Sequence, residues 1–418
     1  MNEKGKVVLA YSGGLDTSVA VKWIQEAYGL DVVTLTLDLG THEDLDRIRR
    51  RALDVGAVKA LVVDAADVFV EYFIWPALRA GAVYERAYPL ATALGRPLIA
   101  KLLVDTARQE GAHAVAHGCT GKGNDQVRLD VAVKTLAPEM DIIAPAREWK
   151  MTRQQEMDYA AQHGIKVDVT RKSPYSTDEN LWGRSVECGV LEDPWAEPPE
   201  DAFAWTASAA DAPDEPEYIE IDFEKGVPVA LNGRQMGGAP LIEELNHTAG
   251  RHGVGRIDHI EDRVVGIKSR ELYEAPAAVV LHAAHAALEG MTMTRPALRF
   301  KEVVSLHYAD MIYDGLWFSK FHQDLAAYVL SSQQVVKGSV RMKLFKGQGV
   351  KVGVRSEYGL YRKALATYDE GDQFDHRAAL GFIALHGLPT RTQAQVLKTA
   401  LPDETLRPRL SPPEIKPK

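Results

Sequence analysis

The sequence predicts an α/β protein built on a doubly wound parallel sheet, followed by a second domain of the α+β type. Three observations support this prediction. Short apolar segments alternate with helical patterns over roughly the first 170 residues, these segments are apolar on both faces, and the chain changes character near residue 191. Strands of this kind form parallel sheets covered by helices on each side. A chain of 418 residues, 46% of them hydrophobic, is long enough for two or three domains.

The N-terminal part is expected to contain five strands and their connecting helices. The strands cover residues 7–10, 32–37, 61–63, 114–116 and 142–143. Five helices are expected. The first starts at residue 16, the second covers 45–55, the third covers 97–107 with Pro97 as its first residue, the fourth starts at about residue 125 and the fifth covers 153–162. Ligands of such sheets bind beyond the carboxyl ends of the strands. We therefore expect the chemistry in the loops that follow strands.

The second half begins with an acidic segment. Residues 192–217 contain nine acids, five prolines and no Lys or Arg, which predicts an extended linker or a long surface loop. A strand with period-two alternation follows at 218–223, then helices at 241–246, 277–288 and 297–313, and a hairpin that joins 339–345 to 350–355. The expected parts of the chain are a first domain at 1–165, a second domain at 166–375 and a C-terminal segment at 376–418.

Charge and composition exclude several classes of protein. The net charge is −9, which repels phosphate backbones, so no nucleic acid is expected as a partner. Residues 49–51, all arginine, are interpreted as a solvated helix face. Two cysteines are too few for a disulfide framework. No segment approaches the ~18 apolar residues of a membrane span and no signal segment is found. We therefore expect a cytoplasmic protein without a membrane partner. His282 and His285 lack a third ligand, so no metal centre held by the protein alone is expected.

The first loop that carries chemistry joins the first strand to the first helix. Two adjacent glycines let the backbone turn sharply and bring its N–H groups close to an anion. Three hydroxyls and the helix N-terminus add to this phosphate cradle. The loop is neither a Walker A loop nor a dinucleotide fingerprint, since it lacks both glycine patterns. Its residues are Ala10, Tyr11, Ser12, Gly13, Gly14, Leu15, Asp16, Thr17 and Ser18.

The second loop follows the fourth strand and is expected at the same edge of the sheet. Residues 117–128 read His-Gly-Cys-Thr-Gly-Lys-Gly-Asn-Asp-Gln-Val-Arg. Its glycines, Lys, Thr, Asn and Asp can hold both an anion and an amine, although loops of this composition are also common as plain turns. Cys119 is interpreted as a small packing residue, because nothing in the sequence indicates a reactive thiol.

These residues carry a family resemblance. Ser-Gly-Gly-x-Asp-x-Ser resembles the pyrophosphatase loop of the N-type ATP pyrophosphatases, which share the adenine nucleotide alpha hydrolase-like fold. The longer strings at 10–18 and 120–128 are similar to the argininosuccinate synthase family, as are the segments at 96–101, 174–181, 189–195, 250–258 and 268–270. The resemblance implies that citrulline, aspartate and ATP, with Mg²⁺, give argininosuccinate, AMP and pyrophosphate through citrullyl-AMP. It also implies a homotetramer.

The resemblance also assigns residues to substrates. Besides residues 10–18, the nucleotide is assigned Leu37 and Gly118. Aspartate is assigned Thr120, Asn124 and Asp125, and the citrulline contacts are Tyr88, Thr92, Ala93, Asn124, Arg128, Ser176, Ser185, Glu261 and Tyr273. Asp16 is expected to position Mg²⁺ or pyrophosphate. Asp125 is expected to anchor the aspartate amine and to accept its proton. Arg128 can pair bidentately with a carboxylate, and Glu261 can hold an ammonium.

One departure concerns Ala93, which stands where the family has a serine hydroxyl for citrulline, so that Thr92 is the expected replacement. Two alternative functions stay open at this point. Another adenylating enzyme of the same loop class, such as a tRNA-modifying thiolase, is disfavoured by the acidic charge. A non-catalytic nucleotide-binding regulator is disfavoured by the second loop, because a sensor needs no sites for an amino-acid carboxylate and amine.

Overall fold

The computed structural model describes residues 5–41, 44–149, 151–165 and 175–398. It divides the chain into a first unit, Met1–Leu360, and a second unit, Tyr361–Lys418. The expected boundary after residue 165 lies where a segment outside the described residues begins, and the tail from residue 399 also lies outside them. None of the described helices is both long and apolar enough to cross a membrane.

The N-terminal part of the first unit contains a five-stranded parallel sheet with the strand order β3-β2-β1-β4-β5. Its strands are β1 (Lys6–Ala10), β2 (Asp31–Asp38), β3 (Lys59–Asp64), β4 (Ala114–Ala116) and β5 (Asp141–Ile143). The connecting helices are α1 (Leu15–Tyr28), α2 (Leu45–Val55), α3 (Ala66–Phe69), α4 (Trp75–Ala80), α5 (Ala91–Glu110), α6 (Asn124–Leu136), α7 (Pro145–Glu148) and α8 (Arg153–Gln162), with a π-helical turn at Val70–Ile74.

The sheet is covered on both faces, as the sequence predicts. Val7 and Leu9 pack with Ile24 of α1 and Ile48 of α2 on one face. Val8, which points the other way because successive strand residues alternate, packs with residues of α5 and α6 on the opposite face. The doubly wound arrangement is therefore confirmed.

The expected start of the helix at Pro97 is wrong. The helix α5 begins at Ala91, and Pro97 lies inside it. The backbone N–H groups of Thr92 and Ala93 donate to the Tyr88 hydroxyl over 2.9 Å and 3.4 Å. The Tyr88 hydroxyl thus satisfies donors that a helix start leaves without partners. Burial of the first turn also favours the earlier start, even though proline removes a hydrogen bond further along.

The rest of the first unit contains two antiparallel sheets. One has the order β11-β12-β7-β6 and the other the order β10-β9-β8-β13-β14. The strands are β6 (Ser176–Asn180), β7 (Gly183–Glu187), β8 (Glu217–Glu224), β9 (Val227–Leu231), β10 (Arg234–Gln235), β11 (Arg256–Asp262), β12 (Lys268–Glu274), β13 (Gly338–Phe345) and β14 (Gln348–Arg355). The helices are α9 (Gly238–Arg251), α10 (Pro276–Thr292), α11 (Arg295–Tyr313) and α12 (Lys320–Ser332), and 3₁₀ turns lie at Gly189–Glu192, Glu200–Ala202 and Gln333–Val335.

The second unit contains three helices within its described residues. They are α13 (Lys363–Ala366), α14 (His376–His386) and α15 (Leu388–Leu397). The carboxylate of Asp375 accepts hydrogen bonds from the backbone of Arg377 and Ala378 and so caps the start of α14.

The acidic segment at 192–217 is a long loop, interrupted by the 3₁₀ turn at Glu200–Ala202, and one buried carboxylate anchors its middle part. Glu274, which is fully buried, accepts hydrogen bonds from the backbone N–H groups of Ala204, Trp205 and Thr206 over 2.8–2.9 Å. It also accepts from the Thr206 hydroxyl at 2.7 Å and from Arg184 Nη1 at 2.7 Å. A buried charge with this many donors is fully compensated. The loop is therefore fixed where it meets β12.

We predict that Glu274→Gln lowers the free energy of unfolding by about 2–4 kcal/mol, because it removes the buried charge that pairs with Arg184 and turns an amide N–H₂ toward other donors. Urea unfolding of the purified chain measures this change. Glu302→Gln, on the exposed face of α11, serves as the control and should stay within about 0.5 kcal/mol of the wild type. Equal, small losses in both variants would show that Glu274 does not hold the loop.

Candidate active site

The two glycine-containing loops meet at the carboxyl edge of the parallel sheet. They follow β1 and β4, which pair with each other in the centre of the sheet. The strand order reverses between these two strands, which is where open parallel sheets form a crevice. A Cβ atom added to Gly118 would lie 3.1 Å from Cγ2 of Thr17, so the two loops are in close contact. Leu37 lies near the end of the neighbouring strand β2.

The first loop presents free backbone donors. Gly13 has a positive φ of 76°, which L side chains rarely adopt. Gly14 is the N-cap of α1, and no side chain caps the helix start. Ser12 Oγ lies 3.2 Å from Thr17 Oγ1 and 3.4 Å from the backbone N of Gly14. The helix start thus retains N–H groups and two hydroxyls for an anion.

Other loop side chains fix the loop rather than face a ligand. Tyr11 Oη and Ser18 Oγ are hydrogen-bonded at 2.9 Å, and both side chains are buried. The Thr36 hydroxyl donates to the Tyr11 carbonyl at 2.8 Å. Burial raises the pKa of Tyr11, so the phenol stays neutral. The Ser18 hydroxyl is therefore engaged inside the protein, and of the three predicted hydroxyls, those of Ser12 and Thr17 lie at the cradle.

Arg51 also reaches the first loop. Its Nη1 donates to the carbonyl of Gly13 at 2.6 Å. The interpretation of residues 49–51 as a solvated face is therefore wrong for Arg51. Ile48 and Ala52 on the same helix are buried against the sheet, and Arg51 lies between them in sequence. The apolar residues Ile48 and Ala52 on either side of Arg51 were a signal that sequence reasoning missed, since they place Arg51 close to the buried face of the helix.

A second carboxylate lies beside the loop residue Asp16. It belongs to Glu156 of α8, a helix that starts at a capping box on Thr152. Burial and then the neighbouring Asp16 raise the pKa of Glu156 to about 7. Among the described residues, no group of three or more His, Cys, Asp or Glu side chains could hold a metal ion.

The second loop is held by a histidine. His117 Nδ1 accepts from the backbone N–H of Cys119 at 3.2 Å, so its Nε2 donates to Asp130 Oδ1 at 2.7 Å. Gln126 Nε2 donates to the carbonyl of Gly121 at 2.6 Å. Burial raises the pKa of the Cys119 thiol to about 12, which agrees with a packing role.

A polar cavity of about 110 Å³ opens beside the second loop. It lies between the start of α6 and the antiparallel sheet that contains β7 and β12. Ser185 and Tyr273 are paired across these two strands and share one face. The cavity is lined by Tyr88, Thr92, Gly123, Asn124, Asp125, Arg128, Asp178, Ser185, Glu187, Glu261, Arg263, Glu271 and Tyr273.

Eight residues that the sequence analysis assigned to aspartate or citrulline therefore come together here, and the other three of that set do not line this cavity. Ala93 is fully buried beneath it, with its N–H turned to Tyr88, whereas Thr92 reaches the wall. Thr120 is exposed in the second loop and Ser176 is exposed at the start of β6.

The cavity also contains residues that sequence reasoning missed, namely Asp178, Glu187, Arg263 and Glu271. Asp178 and Glu187 lie on the hairpin of β6 and β7, whereas Arg263 lies in the turn after β11 and Glu271 lies on β12. The pairing of β7 with β12, which are far apart in the chain, brings these residues together. One local signal was present. Ser269, Glu271 and Tyr273 alternate along β12, and this period places them on one face of the strand.

Asp125 lies between two guanidinium groups. Its Oδ2 is 2.7 Å from Arg96 Nη2 and its Oδ1 is 3.0 Å from Arg128 Nη1. Burial by itself would raise the pKa of this carboxyl, but Arg96 and then Arg128 more than reverse that effect and lower the pKa to about 2. Such a carboxylate is ionised at neutral pH and accepts a proton poorly. The geometry therefore favours the predicted anchoring role over the predicted base role.

Arg128 retains one free donor. Its Nε donates to the carbonyl of Tyr313 at 2.8 Å, its Nη1 is engaged by Asp125, and its guanidinium lies 4.7 Å from the centre of the Tyr313 ring. Its Nη2 is buried and has no hydrogen-bond partner in the described chain. An orphaned buried donor of this kind is costly unless a ligand satisfies it. Nη2 can therefore contact a carboxylate, and the expected bidentate contact stays a prediction.

Glu261 supplies a buried negative charge to the opposite wall. It accepts hydrogen bonds from the hydroxyls of Tyr273 and Tyr313, both at 2.6 Å. Burial raises the pKa of both phenols, so they remain donors. Tyr88 stacks on Tyr273 and Tyr84 stacks on Tyr313, with ring centres 4.0 Å and 3.6 Å apart. This aromatic frame holds Glu261 in a fixed position.

The turn between β11 and β12 joins the cavity to the second loop. Arg263 Nη2 contacts Glu187 and lies 2.6 Å from Glu271 Oε1. The backbone N–H of Val264 donates to Asn124 Oδ1 at 2.9 Å, and Asn124 Nδ2 donates to the Tyr313 hydroxyl at 2.8 Å. Burial and the neighbouring Glu187 raise the pKa of Glu271 to about 8.

Comparison with known proteins places this architecture in a family. The model of the arginosuccinate synthase N-terminal HUP domain matches residues 6–166, and the model of the arginosuccinate synthase C-terminal domain matches residues 175–393.

Curated relatives agree over nearly the full length. Argininosuccinate synthase of Dehalococcoides mccartyi is 60% identical over 391 residues, which cover 94% of this chain and 96% of the relative. The enzyme of Symbiobacterium thermophilum is 57% identical over 95% of this chain and 99% of its own length, and that of Geobacillus kaustophilus is 56% identical over 94% and 97%. On these matches, together with the paired loops and the polar cavity, the chain belongs to the argininosuccinate synthase family.

Proposed function

We propose that the two loops and the polar cavity form one active site, in which ATP, aspartate and citrulline lie side by side. The reaction of the family condenses L-citrulline with L-aspartate. The ureido oxygen of citrulline attacks the α-phosphorus of ATP to give citrullyl-AMP and pyrophosphate, and the aspartate amine then displaces AMP to give argininosuccinate. The observation that carries the proposal is the free Nη2 of Arg128, which points to a carboxylate ligand between Asp125 and Glu261.

ATP is assigned to the first loop. The N–H groups at the start of α1 suit the phosphates, since no side chain caps them. Arg51 places a positive charge at the same loop. Leu37 and Gly118 border the loop from β2 and from the second loop, which supports their assignment to the nucleotide. In-line phosphoryl chemistry depends mainly on positioning and charge neutralisation.

Citrulline is assigned to the cavity because two charged walls match its zwitterionic end. Arg128 Nη2 would donate to the α-carboxylate, and the Glu261 carboxylate would accept from the α-ammonium. Tyr88, Thr92, Ser185 and Tyr273 line the space between them. Thr92 then takes the place of the hydroxyl missing at Ala93. Ser176 lies outside the cavity, so its assignment rests on the family resemblance alone.

Aspartate is assigned to the start of α6. Asp125 is ionised there and would anchor the aspartate ammonium. Asn124 is the first residue of α6, and Thr120 lies in the loop just before it. The amine must lose a proton before or during its attack on the activated ureido carbon. A carboxylate with a pKa near 2 does not accept it efficiently at neutral pH. We therefore assign Asp125 to orientation of the amine.

Mg²⁺ is assigned to Asp16. Protein sites for this ion commonly use one or two carboxylates together with substrate phosphates, and not a cage of protein ligands. Asp16 with the adjacent Glu156 fits that pattern, given that the described residues hold no larger carboxylate cluster. When bound, the ion would neutralise charge on the departing pyrophosphate.

A cytoplasmic homotetramer is the proposed assembly. Support comes from α14 of the second unit, which carries the exposed apolar side chains of Leu380, Phe382, Ile383 and Leu385. Exposed apolar side chains of this number are typical of surfaces that contact another subunit.

The phosphate cradle is tested by Gly14→Ala. Gly14 has an ordinary φ of −75°, and a Cβ atom there would meet only Ser12 Oγ at 3.4 Å. The variant should therefore fold normally while its methyl group blocks the approach of a phosphate. We predict that the Kd of ATP rises at least ~10-fold with an unchanged Tm, as measured by calorimetry. The control is Gly290→Ala, because an added Cβ atom there meets only open space. Gly111→Ala, at the exposed end of α5, is not suitable because the φ of Gly111 is positive. Unchanged ATP binding in Gly14→Ala would contradict the assignment.

The aspartate site is tested by Asp125→Asn, which keeps the size of the side chain and removes its charge. We predict that kcat/KM for aspartate falls ~10²-fold or more, because a charge-assisted contact to the ammonium is lost. Citrulline-dependent exchange of labelled pyrophosphate into ATP, measured without aspartate, should persist. Asp105→Asn on the surface of α5 is the matched control. A loss confined to the exchange reaction would refute the assignment of Asp125 to aspartate.

A further inference from the structure

We propose that Arg96 is a positioning residue for the addition of aspartate, which acts by pairing with the Asp125 carboxylate and keeping it at the wall of the cavity. The proposal rests on the proposed function of Asp125 as the anchor of the aspartate ammonium. It adds a residue that neither the loop motifs nor the assigned substrate contacts include.

Three elements meet at the Arg96 guanidinium. Arg96 lies on α5, and its side chain is only 15% exposed. Its Nη2 lies 2.7 Å from Asp125 Oδ2 at the start of α6 and also contacts Asp178 on β6. One nitrogen therefore joins the nucleotide-binding part of the chain to the antiparallel sheet that forms the cavity. Because α5 is fixed by the buried face against the parallel sheet, this contact sets where Asp125 lies.

Arg96 acts through Asp125 and not on the substrate directly. The cavity wall includes Asp125, Asp178 and Arg128, but Arg96 is not part of it. The guanidinium lies behind the two carboxylates. A residue in this position can orient and charge its neighbour without contacting the ligand.

Arg128 cannot replace Arg96 in this role. Its Nε is engaged by the carbonyl of Tyr313 and its Nη2 is the donor assigned to citrulline. Burial is the strongest influence on the Asp125 carboxyl and opposes its ionisation, and Arg96 is the largest influence in the other direction. Without Arg96, the pKa of Asp125 should rise toward the working pH, and a neutral acid would bind an ammonium weakly.

The test compares Arg96→Gln, Arg96→Lys and the control Arg108→Gln, which removes an exposed arginine from the same helix. The readouts are the KM for each substrate, the pH profile of kcat/KM for aspartate between pH 5 and 8, the aspartate-free pyrophosphate exchange and the Tm. For Arg96→Gln we expect a ~10–100-fold higher KM for aspartate, the size of one or two lost contacts to a charged group. We also expect a new acid limb in the pH profile, near-normal exchange and KM values for citrulline and ATP within ~3-fold.

Arg96→Lys keeps the cation and should recover part of the affinity and remove much of the acid limb, and it remains informative if Arg96→Gln fails to fold. An unchanged pH profile with equal losses for all three substrates would overturn the proposal in favour of a purely structural role. The Asp125→Asn variant distinguishes a failure of the proposed role of Asp125 from a failure of the proposed role of Arg96. If that variant binds aspartate normally, the proposed function of Asp125 fails, whereas normal aspartate kinetics in Arg96→Gln alone overturn only the role of Arg96.

Discussion

The substrate cavity depends on one carboxylate held between two guanidinium groups. Arg128 is buried and Arg96 and Asp125 are half-buried, and removing any one of these charges from water alone would be costly. Their mutual contacts offset this cost and leave Nη2 of Arg128 and the Asp125 carboxylate at the wall of the cavity. Arg96 extends the contact to Asp178 on the antiparallel sheet. The same ion-pair cluster therefore joins the parallel-sheet part of the first unit to the antiparallel sheet and places charged groups at the cavity between them.

The fold supplies this cluster through the position of its loops. The reversal of strand order between β1 and β4 brings the phosphate loop and the start of α6 to one edge of the parallel sheet. The turn after β11 then covers the start of α6, where Asn124 accepts from the backbone of Val264 and donates to Tyr313. Because both the oxygen and the nitrogen of the Asn124 amide are hydrogen-bonded, this side chain has little freedom to rotate. Backbone topology thus brings the two loops together, while the side chains on the antiparallel sheet set the charge of the cavity.

The sequence predicts the parts of this arrangement that follow from local patterns. Both loops, the strands that carry them and the helix α6 follow from glycines, apolar runs and the family motif, and the covering of both sheet faces follows from strands that are apolar on both faces. The start of α5 at Ala91 could not be predicted, since it depends on the Tyr88 hydroxyl, a tertiary contact that outweighs the signal of Pro97. Asp178 and Glu187 lie on one hairpin and Arg263 lies in the turn of another. They were missed because only the pairing of β7 with the distant β12 brings the two hairpins together. The substrate assignments of the individual residues stay predictions.

The central claim is that Arg96 influences aspartate only through Asp125, and a double-mutant cycle tests it most directly. The KM for aspartate would be measured for the wild type, Arg96→Gln, Asp125→Asn and the double variant under one set of conditions. If the two residues act as one unit, the double variant has a KM within ~3-fold of Asp125→Asn alone. If the two single effects multiply in the double variant, Arg96 acts on the substrate independently of Asp125, and the account is contradicted.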